Sequence, residues 1–198
     1  SFLKNFSKNY IKRGTGGVGK RLSSSSRGAS KNKLPGTISP SSITVNTKLD
    51  SLEYGMVAVA CSVSDEVVFI NTNNTIDRRE NVDVRPIDIV HNIVDDCYYV
   101  ANLVSGTISK ICVNRRVNNL PNIEEARTIG INEDNGDLYI HSAKTGEINV
   151  YDLLGSLKGT VGSVRASIVS FVYHPVKKRM YMALDSSNSV SELDPITF

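Results

Sequence analysis

Apolar and polar residues alternate in short runs along most of this chain, and four of the runs share one register. They are Met56-Val57-Ala58-Val59-Ala60, Tyr98-Tyr99-Val100-Ala101-Asn102, Leu138-Tyr139-Ile140-His141-Ser142 and Met180-Tyr181-Met182-Ala183-Leu184, with starts 42, 40 and 42 residues apart. The same grammar surrounds each run: a first strand, a polar turn, a second strand, a tight turn and a third strand. The pattern predicts strands over 87–92, 97–103 and 107–113, then 128–131, 138–142 and 147–152, then 168–173, 180–184 and 189–193. In the first repeat it predicts 45–49, 56–61 and 66–71. Gly106 and Gly146 occupy equivalent turns, with Asn188 and Ser64 in the other repeats, and Gly and Asn tolerate the positive φ of tight hairpins. Arg78-Arg79-Glu80 and the stretch from Val117 to Glu125 are polar with sparse apolar positions, as solvated outer strands are.

A fixed period near 40 built from short strands predicts a β-propeller, one blade per repeat. The expected fold is therefore all-β: a small propeller of about four blades over 41–198, with repeats at 42–84, 85–126, 127–166 and 167–198. An extended basic arm occupies 1–40. Four blades are few, and the fourth copy ends at Phe198 before an outermost strand. We expect a strand near Thr37 to Thr44 to complete the last blade and close the ring. The alternative is an open arc finished by another subunit, since unpaired edges favour association.

One repeat carries more specific letters. Arg85-Pro86-Ile87-Asp88-Ile89, followed by Tyr99-Val100-Ala101-Asn102 and Ser105-Gly106-Thr107-Ile108-Ser109, resembles the YVTN-type propeller repeat, which is related in style to NHL repeats. The other three copies keep the strand pattern without the consensus letters. The resemblance implies a toroid of four-stranded sheets and assigns no chemistry to any residue.

Charge changes the picture. Residues 1–40 hold nine cations (Lys4, Lys8, Lys12, Arg13, Lys20, Arg21, Arg27, Lys31 and Lys33) and no acid. The remainder keeps 14 of the 23 basic residues against all 20 acidic ones, a net of −6 behind the overall +3. The chain reads as a basic arm on an acidic body. Gly- and Ser-rich, the arm buries too little apolar surface to order alone. Phe2, Phe6 and Tyr10, interleaved with Lys4, Lys8 and Lys12, suit one short amphipathic helix formed against a partner. We expect the arm's cations to bind partner proteins, and a nucleic-acid backbone is the alternative they could neutralise. Three cysteines, an odd number, suggest free thiols and a reducing compartment, inside a cell or a virion. Cys97 and Cys112 flank the turn near Ser105-Gly106 symmetrically and could face each other, but two buried thiols are the expectation. No apolar run is long enough to cross a bilayer, and no secretory apolar region is apparent.

The chemistry-bearing motifs weigh little. Gly14-Thr15-Gly16-Gly17-Val18-Gly19-Lys20-Arg21 fits a phosphate-binding loop by letters. It lacks the strand before and the helix after that aim backbone N–H groups at phosphate, and Arg21 stands where a hydroxyl should hold Mg²⁺. A flexible linker is the better reading. His91, His141 and His174 lie at non-equivalent points of three repeats without metal-ligand spacing. His141 takes the place of Val59, Ala101 and Ala183 and reads as a packed or channel-facing side chain. The run Glu133-Asp134-Asn135-Gly136-Asp137 misses calcium-loop spacing, with Ile131 where the first acid belongs, and reads as an ordinary turn. The sequence thus predicts no catalytic residue, no metal and no cofactor. The expected function is a non-enzymatic structural or interaction subunit of a large assembly, a phage tail or neck for example, joined to its own copies or to other proteins through the arm. The alternative from another class is a lactonase- or hydrolase-like propeller with a site on the central channel, for which Asp88, His91 and His174 are the candidates. A nucleic-acid-associated protein using the arm is the third reading.

Overall fold

The structure, a computed structural model, describes residues 39–194 except 114, 121, 163, 165 and 166, and of 115–119 the backbone alone. The chain divides into two units, 1–33 and 34–198. The nine arm cations, the Gly14 to Arg21 motif and the Phe2-Phe6-Tyr10 helix lie outside the described residues.

The described part is all strand, arranged as four antiparallel meanders whose order in space follows the chain. Blade one holds β1 (Pro40–Val45), β2 (Val57–Cys61), β3 (Glu66–Ile70) and β4 (Ile76–Asn81). Blade two holds β5 (Pro86–Asn92), β6 (Cys97–Asn102), β7 (Thr107–Cys112) and β8 (Arg115–Leu120). Blade three holds β9 (Ala126–Ile131), β10 (Leu138–Ser142), β11 (Ile148–Tyr151) and β12 (Leu157–Val161), and blade four β13 (Ile168–His174), β14 (Arg179–Leu184) and β15 (Ser189–Leu193). The all-β propeller class expected from the repeat is the observed one.

The second strands of blades two and three are largely apolar because both their faces are covered. All six residues of β6 and all five of β10 are buried, as strands sandwiched between neighbouring sheets must be. The outer strand β4 instead alternates half-buried and exposed positions. The turns obey one rule. Gly55, Asp96, Gly136 and Lys178 take positive φ before the second strands, and Asp65, Gly106, Gly146 and Asn188 before the third. In blade one the left-handed residue is thus Asp65 rather than Ser64, because β3 starts at Glu66.

Blade one also departs from expectation at its first strand, which runs Pro40–Val45 and not over 45–49. The chain turns at Asn46, whose side-chain oxygen accepts from the Lys48 N–H at 3.0 Å and whose carbonyl accepts from the Gly55 N–H at 2.8 Å. That pins a long loop in place of the short turns of the other blades and leaves Leu49 and Leu52 in solvent. The strand expected to complete the last blade is this same β1. It pairs instead with β2 as the innermost strand of the first.

Among the described residues, four sheets share three inter-blade cores. Phe69 meets Tyr98 edge-to-face at 5.1 Å between blades one and two, with Ala58, Val67 and Ile89 around them. Tyr99, Ile108, Ile129 and Ile140 lie in the core between blades two and three, and Tyr139, Val150, Ile168 and Met182 in that between three and four. A closed ring needs as many cores as blades. A fourth cluster, Val59, Cys61, Val68 and Ile70, draws on blade one alone, and the far face of blade four exposes Val172 and Val190 at 64% and 71%. The described blades thus form an open arc, and the closure expected from the sequence is not found among the described residues.

A second correction concerns the thiols. Cys97 and Cys112 are paired directly across β6 and β7, with Cα atoms 4.2 Å apart, and form a disulfide. The hairpin's symmetry about its turn brings the two Cβ atoms together, which outweighed any preference for buried thiols. Cys61 remains as a buried free cysteine.

Candidate binding site at the mouth of the central cavity

The inner strands β1, β5, β9 and β13 each carry a β-bulge at the same place. Ser41, Ile87, Arg127 and Val169 have no cross-strand partner, and the pairing register shifts around each of them. Bulges kink a strand and re-aim its side chains. The next residues, Ser42, Asp88, Thr128 and Ser170, lie opposite Ala60, Ala101, His141 and Ala183. This shows the repeat in blade one one residue later than expected, with Ala60 and not Val59 equivalent to His141.

These polar residues tie each blade to the next. Ser41 Oγ donates to the Pro86 carbonyl at 2.8 Å and Ser42 Oγ to Asp88 Oδ1 at 2.8 Å. The Ile89 N–H also donates to Asp88 Oδ1, and the Ile129 N–H of blade three donates to Asp88 Oδ2, both at 2.9 Å. Thr128 Oγ1 donates to the Ile168 carbonyl of blade four at 3.0 Å. Burial pushes the Asp88 carboxyl above its ordinary range, against the donors from Ile129, Ser42 and Ile89 that favour its charge. Its role is to staple three blades.

Above these staples opens a cavity of about 730 Å³, reached by Arg85, Arg127, Ser167 and Asp185. Arg85 holds the left-handed backbone at φ 63°, a conformation that costs a non-glycine residue free energy. Two bonds impose it: the Arg85 N–H donates to Asp65 Oδ1 at 2.8 Å, and its carbonyl accepts from the Leu103 N–H at 2.9 Å. Neither this cavity nor the two arginines were singled out from sequence. The Arg-Pro junction at the start of β5 gave no signal of this, since proline steers the residue before it toward extended backbone.

The opposite end of the inner strands holds His91. Its Nε2 lies 3.0 Å from Asp96 Oδ1, which also accepts from Asn46 Nδ2 at 3.0 Å, and its ring meets that of Tyr98 at 4.8 Å, tilted by 56°. Burial lowers the His91 pKa despite Asp96 beside it. Phe171 packs directly on Gly130 nearby, where a Cβ would stand 2.5 Å from the Phe171 Cβ. His174 lies at the end of β13, 6.2 Å from the Tyr181 ring. The three residues of the enzyme alternative are therefore not assembled: Asp88 and His91 sit toward opposite ends of β5, and His174 two blades away. His141 is packed at 2% exposure, its pKa lowered by burial and by Arg127. The acidic run forms the first turn of blade three. There Asp134 accepts from Tyr173 Oη at 2.6 Å and pairs with Lys178 at 2.7 Å, and Asp137 pairs with Lys158. Among the described residues no group of three or more His, Cys, Asp or Glu side chains is placed to hold a metal ion.

No protein-family model and no curated protein matches the chain. Solved structures do. Hydrazine synthase of Kuenenia stuttgartiensis superimposes with a TM-score of 0.69 at 18% identity, over 87% of this chain and 49% of that one. Virginiamycin B lyase of Staphylococcus aureus gives 0.61 at 13% identity, over 83% and 58%, and a streptogramin B lyase 0.60 at 13%, over 78% and 54%. The chain spans about half the length of these structures. At such identity the likeness shows the fold, a β-propeller, and leaves the chemistry to this chain's own residues.

Proposed function

We propose that this chain is an interaction subunit of a larger protein assembly rather than a catalyst. The observation that carries the reading is that, among the described residues, four sheets share three inter-blade cores. Among the described residues blade four leaves Val172 and Val190 exposed on the sheet face away from blade three. The occupant is a protein subunit offering a sheet face of its own, and the arm's nine cations tether the pair electrostatically. A virion tail or neck is the setting proposed from the sequence. Nucleic-acid binding through the arm, the alternative, predicts a steep salt dependence that deleting residues 1–33 abolishes.

Sedimentation and native mass measurement of the full chain test the reading. The expected result is a defined oligomer, or a hetero-complex recovered from the native source, that Val172→Lys with Val190→Lys dissociates without loss of β-sheet circular dichroism. A monodisperse monomer that takes up no partner from the native source would sink it.

A further inference from the structure

Five arginines have described side chains. Arg78 meets Glu53 at 2.7 Å, Arg79 meets Glu66, and Arg179 meets Asp194 at 3.0 Å. The two that meet no carboxylate among the described residues, Arg85 and Arg127, both line the 730 Å³ cavity. This happens in a body with a net charge of −6, where carboxylates are plentiful. Both are also held there by backbone devices. Arg127 is the bulged residue of β9, and Arg85 is kept in the left-handed region by bonds to two neighbouring turns.

The wall between them offers acceptors rather than donors. Ser41, Ser42 and Thr128 spend their protons on Pro86, Asp88 and Ile168, so their oxygen lone pairs are what a ligand meets. Asp88 has both oxygens engaged by its three donors, while Asp185 brings a carboxylate to the rim. Planar guanidinium groups bind carboxylate and phosphate through paired N–H donors. Lone pairs and a carboxylate accept hydroxyl protons.

We propose that this cavity binds a small hydroxylated anion, of which a sugar phosphate is the type. Arg85 and Arg127 take the anionic group, and the hydroxyls face Ser42, Thr128 and Asp185. The inference is independent of the docking role, which uses the far face of blade four.

Calorimetric titration of the full chain with ribose 5-phosphate, inorganic phosphate and ribose tests it. Ribose 5-phosphate is expected to bind at least about fivefold more tightly than inorganic phosphate, with ribose weakest. Arg85→Gly with Arg127→Ala should weaken it by about tenfold or more. The melting temperature should hold or rise, because glycine relieves the positive φ at 85. Binding that survives this double substitution belongs to the arm and overturns the proposal, as does no binding at millimolar ligand. Equal affinity for the two phosphates overturns the hydroxyl half. A double variant that loses its sheet signal is replaced by Arg127→Gln, which keeps the stem and must still cost about fivefold.

Discussion

Gly130 is the position where one atom decides a packing contact. A Cβ there would lie 2.5 Å from the Cβ and 2.7 Å from the Cγ of Phe171, atoms too close to the backbone to swing aside. Gly130→Ala should therefore destabilise the fold by about 1–3 kcal/mol, read as a lowered urea midpoint. Adding Phe171→Gly, which removes both atoms, should recover part of that loss, and strictly additive effects would refute the contact. Asp88 makes a prediction of a different sign from most carboxylates. Its folded pKa is raised, chiefly by burial, so between its ordinary and its folded value the native state binds more protons than the unfolded one. Its contribution is thus fully present below the ordinary carboxylate range and declines as pH rises through the folded value. His91, lowered by burial, adds a second window: stability present above its ordinary pKa is lost as pH falls through the folded one. Melts of the wild type and Asp88→Asn between pH 3 and 6 should show the wild type's advantage shrinking as pH rises. A gap independent of pH would show that Asp88 does not titrate differently on folding.

The disulfide belongs to the scale of the hairpin. It joins residues 15 apart across β6 and β7, and closing a loop of that length in the unfolded chain stabilises by about 3 kcal/mol. Reduction should lower the denaturation midpoint accordingly. Thiol labelling of unfolded, unreduced protein should modify one cysteine, Cys61, and three labelled sites would return Cys97 and Cys112 to the free state. The pair's opposition was readable from its symmetry about Gly106, but its redox state was not, since that depends on compartment as well as geometry. Strand bounds show the same division. Those of β10 and β15 were legible to the residue, because β10 opens after the Gly136-Asp137 turn and β15 lies between Asn188 and Asp194. β1 was expected near Thr37 to Thr44 but not with these bounds or in this blade, because its apolar residues Ile43 and Val45 face solvent and its place is set by pairing with β2. The four bulges were hidden in the spacing: aligning on Ala60, Ala101, His141 and Ala183 gives steps of 41, 40 and 42, and only in that register do Ser42, Asp88, Thr128 and Ser170 form one polar row.

For the whole molecule, the period of the repeats was enough to read the architecture, but not the number of inter-blade cores, which depends on what meets the two end faces. The candidate cavity was less legible still, because it is assembled from short pieces of four different strands and the loops beside them. An arc built of stacked blades behaves as a chain of nearest-neighbour interactions, each blade stabilised by the faces it shares. Blade two shares both faces, and every residue of β6 is buried. Blade four shares one, and Val190 and Glu192 of β15 remain exposed or nearly so. Local opening should therefore be graded along the chain, with few buried apolar contacts marking the units that open first. Amide exchange in the isolated subunit should be at least about tenfold faster over 189–193 than over 97–102, a difference in opening free energy of about 1.4 kcal/mol or more. Docking of a sheet face onto blade four would supply the missing contacts and slow exchange at 189–193 while leaving 97–102 unchanged. Uniform protection across all four blades before any partner is added would mean that the end face is not the weak one, and would remove the ground for reading it as a docking surface.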